Sequence, residues 1–305
     1  MIAPPAAEAF HGIYPMLYAF WDGDGRLDRA AMKQQVDYCV ASGAHGIAVL
    51  GLVSESDKME TRERLGMVEM VAEFLGDRLP YAVTVCEPDE PGQLAFGHAA
   101  IEAGASWLIL QPPAQPDITE DELVGFFGVI ADALEVPIAV QNNPVNLKLS
   151  LSPDALVRLH RDHPNIALLK GEGFSVEIAE VIEKAGGSLR VFGGHGGIEF
   201  LTLLRGGAAG LIPAPDFLLP QLRLYSLWRS ATPEAIAEAE RIHRAVLPAI
   251  VFMSRSIPGM LCYGKRLFAS QIGITQIHDR RPALAPTPFG LAETARFAEE
   301  IAAAV

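Results

Sequence analysis

The chain has 305 residues, enough for a β/α barrel with an appendage or for two domains. At 50% hydrophobic and 20% charged residues it has the composition of an ordinary soluble globular protein with a substantial core. A net charge of −13 and a pI of about 5.1 argue against nucleic acid as a partner, because phosphate binding needs basic patches, and leave small acidic substrates open. The three cysteines, Cys39, Cys86 and Cys262, are far apart and form no CxxC pair, which points to neither a disulfide framework nor a zinc site; Cys39 and Cys86 sit in apolar surroundings and read as buried thiols.

Residues 1–10 are rich in Ala and Pro and lack the basic start and apolar run of a signal peptide, and no apolar stretch reaches the length of a membrane helix. A cytoplasmic, reducing location without membrane contact is the expectation. Short apolar runs then alternate with helical patterns. The runs at 12–19, 46–50, 81–86, 107–111, 137–141, 166–170, 189–192 and 208–212 predict eight strands. Between them apolar residues recur at helical spacing, as in Leu65, Val68, Met70, Val71 and Phe74, or in Leu123, Phe126, Phe127 and Ile130. Gly43, Gly104 and Gly207 stand just before predicted strands, where a left-handed helix C-cap turns the chain. Eight such units in about 230 residues predict an α/β fold, a (β/α)8 TIM barrel, rather than an open doubly wound sheet. No GxGxxG follows the first strand, so dinucleotide binding is not expected. From about Thr232 the alternation stops. Residues 233–250, 257–272 and 289–304 predict three helices, with 279–288 and its three prolines as an irregular connector. The expected division is a barrel over 1–230 and a C-terminal helical region over 231–305.

In a barrel of this kind, chemistry sits just past the strand ends. Lys170 is the most informative such residue: it ends the apolar run Ile166-Ala167-Leu168-Leu169 and is followed by Gly171-Glu172. Burial disfavours a charged ammonium, and a neutral amine placed there can attack a ketone and form a Schiff base. On position alone, a lysine snorkelling at a strand exit is the other reading. The mouth after the second strand reads Gly51-Leu52-Val53-Ser54-Glu55-Ser56, and that after the fifth reads Gln141-Asn142-Asn143-Pro144. The mouth after the seventh reads Gly193-Gly194-His195-Gly196-Gly197, and the eighth strand ends at Ile212. His195 suits a base or a substrate contact and equally a solvated loop histidine. No Lys or Arg accompanies these glycines, which speaks against phosphate, and the eight histidines are scattered without ligand spacing, so no metal is expected.

With these residues in place, the chain resembles the dihydrodipicolinate synthase/N-acetylneuraminate lyase family of class I aldolases over nearly its whole length. The resemblance is carried by Gly12-Ile13-Tyr14-Pro15, Asp28 opening the first helix, the Gly51…Ser54-Glu55 loop, the Asn142-Asn143-Pro144 turn and Lys170-x-Glu172. Gly193 and the helix around Lys265 match as well. It implies Lys170 as the Schiff-base lysine for a 2-oxo acid. No cofactor is implied, because the iminium itself is the electron sink. The resemblance also implies a homo-oligomer, a dimer or a tetramer built of two tight dimers. The departures are chemical. Leu52 and Val53 replace the family's two hydroxyl residues, Ser54 its second glycine, and Gln141 its proton-relaying tyrosine. Pro113-Ala114 replaces a pair of aromatics, one of which crosses the dimer interface in synthases. Asn146 stands where synthases carry an arginine for a second substrate carboxylate, which argues against lysine biosynthesis. Ser54-Glu55 and Gln141 are similar to the 2-keto-3-deoxy sugar acid dehydratase branch.

The expected function is a lyase that forms a Schiff base with a small 2-oxo acid and dehydrates a 2-keto-3-deoxy sugar acid. A pyruvate-dependent aldolase and a non-catalytic metabolite-binding barrel stand as alternatives. Lys170 is the expected nucleophile, Gln141 holds the substrate oxygen, and Glu172 is either an acid/base or a backbone-bonding residue. Ser54 and the N–H groups of the Val53-Ser54-Glu55 turn are the expected carboxylate cradle, with Glu55 more structural than catalytic. Asn142, Gly193, His195 and Ile212 complete the expected substrate contacts.

Overall fold

The computed structural model describes residues 9–304. Most of the Ala- and Pro-rich segment 1–10 therefore lies outside the described residues. In chain order the elements begin β1 (Gly12–Ile13), α1 (Arg29–Ala41), β2 (Ile47–Val49), α2 (Thr61–Leu75), β3 (Tyr81–Val85) and α3 (Glu90–Glu102). They continue with β4 (Trp107–Leu110), α4 (Glu120–Ala133), β5 (Ile138–Asn142), α5 (Pro153–Asp162), β6 (Ile166–Gly171) and α6 (Ser175–Lys184). Then come β7 (Arg190–Gly193), α7 (Phe200–Arg205), β8 (Gly210–Leu211) and α8 (Leu218–Ser230). The C-terminal helices are α9 (Pro233–Met253), the short α10 (Ile257–Gly259), α11 (Lys265–Gln271) and α12 (Pro288–Ala304).

The strands form one sheet in the order β1-β8-β7-β6-β5-β4-β3-β2, and the parallel bridge Met16↔Ala48 joins the segment after β1 to β2, closing the order into a ring. This is the expected (β/α)8 barrel followed by helices. The strands are nearly continuous apolar runs because helices cover one face and the barrel interior the other; Tyr81–Val85 and Trp107–Leu110 are buried at every position. The helices start on real caps. Asp28 accepts from the N–H groups of Ala30 and Ala31, and Thr119 and Glu122 form a reciprocal capping box. At the helix-to-strand junctions Gly43, Gly104 and Gly207 take φ of 86°, 108° and 93°, the left-handed turn their positions predicted.

By internal contacts the chain divides into two compact units. One holds Pro80–Gly194 and Glu199–Ile212 with residues 9–12, the other Ile13–Leu79, His195–Ile198 and the chain from Pro213 onward. In the first, Trp107 stacks on Phe192 at 5.7 Å and lies 5.8 Å from Phe10, filling the sheet's interior. In the second, Phe217, Val246, Ile250, Met253, Leu267, Phe297 and Ile301 make one apolar cluster joining α9, α11 and α12. No single described helix is long and apolar enough to cross a membrane.

Three expectations change. The strand expected over 12–19 is regular only at Gly12–Ile13, because Pro15 has no N–H to continue the ladder, although Tyr14 to Trp21 stay buried. The helix expected over 257–272 is interrupted by a π-helical turn, Met260–Gly264, where Gly264 passes so close to two side chains that a Cβ would lie 2.6 Å from the Tyr18 hydroxyl and 2.8 Å from the Asp216 carboxyl. Cys86, read as buried, is only partly so, while Cys39 and Cys262 are buried.

Candidate active site

In the first unit, parallel pairing lines up the ends of three strands. Gln141 of β5 sits opposite Lys170 of β6, which sits opposite Phe192 of β7; one residue further Asn142, Gly171 and Gly193 are level. Lys170 is 4% exposed and Glu172 7%. The Lys170 Nζ lies 3.5 Å from Glu172 Oε2. That same oxygen accepts from Gln141 Nε2 at 2.5 Å and from Asn143 Nδ2 at 2.9 Å. Gln141 Oε1 in turn accepts from Gln111 Nε2 at 2.9 Å. Asn143 Oδ1 accepts from the backbone and side chain of Asn146, at 3.0 and 3.2 Å. Lys170, Gln141 and Glu172 thus form one buried cluster in which a carboxylate is gripped by two amides and faced by one amine. Such a carboxylate is held in one orientation and can accept a proton without moving.

The loops make this geometry possible. Gly194 follows β7, and a Cβ there would fall 2.4 Å from Glu172 Oε1, so only glycine leaves room for the acid. The Gly193 carbonyl accepts the N–H of Ile212 at 2.9 Å, which ties the β7 exit to β8. Asn142, expected to meet substrate, uses both ends of its amide on the backbone of Leu151, at 3.0 and 2.8 Å, and pins the loop after β5. Asn143 takes the place beside Glu172. The alternation of a strand announces this, since 141 and 143 share a parity and 142 does not. Gln111 was missed because it reads simply as the last residue of a strand. Its register one row past Leu110, which pairs with Val140, is what sets it beside Gln141.

In the second unit, the mouth after β2 is a pair of 3-10 turns, Leu52–Ser54 and Ser56–Lys58, with Glu55 between them at φ 57°. Leu50 and His195, each just past a strand, also have positive φ, 63° and 49°. Within the expected carboxylate cradle, the N–H groups of Ser54 and Glu55 already donate to the carbonyls of Gly51 and Leu52, and Ser54 Oγ donates to the Leu17 carbonyl at 2.6 Å. Val53 is the remaining member of that turn, 7% exposed. Glu55 accepts from Trp21 Nε1 and Lys265 Nζ on one oxygen and from Lys58 Nζ at 2.5 Å on the other, which makes it a structural hub. Burial lowers the pKa of Lys265 from its ordinary value, against the pull of Glu55. Beside Gly264, Asp216 is pushed up to about 7 by burial, and Tyr18 is raised well above its ordinary value by burial and then by the nearby Asp216. The Tyr18 hydroxyl and the Asp216 carboxyl face each other beside Gly264 and interact electrostatically. His195 Nε2 is buried without a hydrogen bond, and the glycines after it are held by Gln221 Nε2 on the Gly196 carbonyl at 2.8 Å and by His243 Nε2 on that of Gly197 at 3.2 Å. Among the described residues no three of His, Cys, Asp and Glu gather as metal ligands.

The chain belongs to the dihydrodipicolinate synthetase family, which it matches over residues 9–283. It is 27% identical to the L-2-keto-3-deoxyarabonate dehydratase of Azospirillum brasilense over 248 residues, 78% of each chain. It is 24% identical to the probable 2-dehydro-3-deoxy-D-pentonate aldolase of Escherichia coli over 264 residues, 84% of this chain and 86% of that one. The 4-hydroxy-tetrahydrodipicolinate synthase structure from Methylacidiphilum fumariolicum superimposes with a TM-score of 0.87 at 20% identity, covering 97% of both chains. That likeness establishes the shared fold. The relatives' activities place the chain among enzymes of the lyase class.

Proposed function

We propose that the protein is a Schiff-base lyase that dehydrates a 2-keto-3-deoxy sugar acid, with Lys170 as nucleophile and Glu172 as the proton carrier. The observation that carries this reading is the single Glu172 oxygen that faces the Lys170 amine at 3.5 Å while two amides hold it. In the first step Glu172 takes a proton from the Lys170 ammonium. The neutral amine adds to the C2 carbonyl, and the proton returns to the departing oxygen, which leaves as water. The protonated imine makes the C3 hydrogen acidic, because the resulting pair of electrons is delocalised into the iminium. Glu172 takes that C3 proton, the enamine forms, and its electrons expel the C4 hydroxyl, which leaves as a second water with the proton from Glu172. One water then hydrolyses the imine and frees Lys170; the released 2-oxo-3-enoic acid shifts its double bond to the C5 enol and ketonises to the dioxo acid, so the net change is loss of one water from the substrate.

Gln141 has no titratable proton and serves to hold Glu172 and a substrate oxygen. Asn146, a neutral amide bonded to Asn143, suits a distal hydroxyl better than a second carboxylate. A small 2-oxo acid is the ligand, and assembly as a homo-oligomer belongs to the same reading.

Borohydride added in the presence of pyruvate tests the first step. The expected result is a reduced adduct on Lys170, absent from Lys170→Ala; no adduct at saturating pyruvate overturns every Schiff-base reading. Incubation with 2-keto-3-deoxy sugar acids then separates the reactions. A dioxo acid formed without pyruvate supports dehydration, and release of pyruvate assigns retro-aldol cleavage instead.

A further inference from the structure

Glu172 can act as a base only if the groups around it favour the ionised form, and one residue decides this from a distance. Glu172, just past β6, faces Lys170 of that strand, the amides of Gln141 at the end of β5 and Asn143 just past it, and the backbone of Gly194 after β7; Lys170 is the charged group among these contacts. An amide can present either its N–H2 or its carbonyl, and only the first suits a carboxylate. Gln141 is turned the right way because its carbonyl is already taken by Gln111 Nε2 at 2.9 Å. Gln111 is itself held: Gln93 Nε2, buried, donates to the Gln111 carbonyl and to that of Glu87, both at 2.9 Å. With the backbone of Gln111 anchored by Gln93, the side chains of Gln111, Gln141 and Glu172 form a directed chain in which each amide donates to the next group.

Resting on the Schiff-base reading above, we propose that Gln111 is a positioning residue: it fixes which end of the Gln141 amide meets Glu172, and so holds Glu172 as a carboxylate ready to take the C3 proton. Gln111 acts through Gln141, without itself bonding to Glu172.

Pyruvate in deuterium oxide is a suitable probe, because enamine formation exchanges its C3 hydrogens and proton NMR follows the loss. Gln111→Glu places an acceptor where the donor was. The Gln141 amide must then turn its N–H2 toward position 111 and its carbonyl toward Glu172, which has to be protonated to bond it. The expected result is an acid limb of the exchange profile moved up by about one pH unit, about tenfold slower exchange below it. Gln111→Met removes the donor without adding charge and should move the limb in the same direction by less, which separates amide polarity from simple repulsion. If Gln111→Glu does not fold, Gln111→Met alone carries the test. Exchange limbs that coincide with wild type in the folded variants overturn the role of Gln111 and leave the Schiff-base reading intact. A wild-type protein that neither traps nor exchanges pyruvate overturns the Schiff-base reading itself.

Discussion

The protein buries two lysines against glutamates, one pair in each compact unit, and the two pairs are built in opposite ways. Lys265 and Glu55, with side chains 1% and 2% exposed, are in direct hydrogen-bond contact, and Trp21 and Lys58 supply the remaining donors to Glu55. Lys170 and Glu172, 5% and 8% exposed, stand 3.5 Å apart, and amides rather than the lysine make the bonds to the acid. A closed pair with every oxygen supplied is a fixture, since separating its charges would strand one of them in the interior. A pair kept at arm's length costs desolvation without the full return of contact, and leaves the amine able to bond something else. The two lysines differ more in how their carboxylates are bonded than in how deeply they are buried.

The largest effects should come from exchanging the two lysines for methionine. Lys170→Met should abolish borohydride trapping and lower turnover by at least about 10³-fold. Its stability should change little, because Glu172 keeps two amide donors and can take up a proton. Lys265→Met should do the reverse: a loss of about 3 kcal/mol in urea unfolding, from a buried carboxylate deprived of its best partner, with trapping on Lys170 retained in the folded protein. Equal stability losses in the two variants would dissolve the distinction.

Glu172→Gln comes next. The variant keeps the amine and the shape of the site but has no carboxylate to move a proton, so exchange of pyruvate hydrogens should fall about 10²-fold or more while the adduct on Lys170 still forms, more slowly, with water taking the ammonium proton. Retained exchange would assign the proton to another group. By contrast Glu55→Gln should leave the exchange chemistry in place and lower the melting temperature, because Glu55 answers three structural donors.

These contrasts were unevenly visible in the sequence. The barrel could be read because strands covered on both faces are continuous apolar runs and because Gly43, Gly104 and Gly207 repeat one junction. Lys170 drew attention because a charge ends such a run, and the structure places that charge in the interior beside Glu172. The partners of Glu55 could not: Lys265 is 210 residues away, just past the π-helical turn at Met260–Gly264, and a π turn leaves no mark on helical periodicity. Strand parity favours Asn143 over the expected Asn142 beside Glu172, but the side-chain direction of an amide, which makes Gln111 matter, exists only once the chain is folded. The cradle expected from the Val53-Ser54-Glu55 turn failed to account for the turn's own hydrogen bonds, which engage two of its three N–H groups.

The remaining expected effect, confined to one pH window, concerns the acid beside the π-helical turn. Asp216 lies buried next to Tyr18, with burial raising its carboxyl from the ordinary 3.8 to about 7. The folded protein therefore binds this proton more tightly than the unfolded chain. Its contribution to stability is fully present below about pH 4, declines as the pH rises, and is lost above about pH 7. The whole change is of the order of a few kcal/mol, since a tenfold difference in proton affinity between the folded and unfolded chain corresponds to about 1.4 kcal/mol. Asp216→Asn has no proton to lose at this position. Relative to wild type it should gain stability steadily between pH 4 and 7 and hold that gain at pH 8, as read from urea midpoints at each pH. Because Gly264 carries this contact and Lys265 is its neighbour in sequence, the double variant with Lys265→Met tells whether the two buried groups act together: stability changes that add make them independent, and a departure from additivity makes the turn a shared support. Parallel stability curves for wild type and Asp216→Asn would mean that Asp216 is ionised in the folded state across this range, and that the structural half of the comparison rests on Glu55 alone.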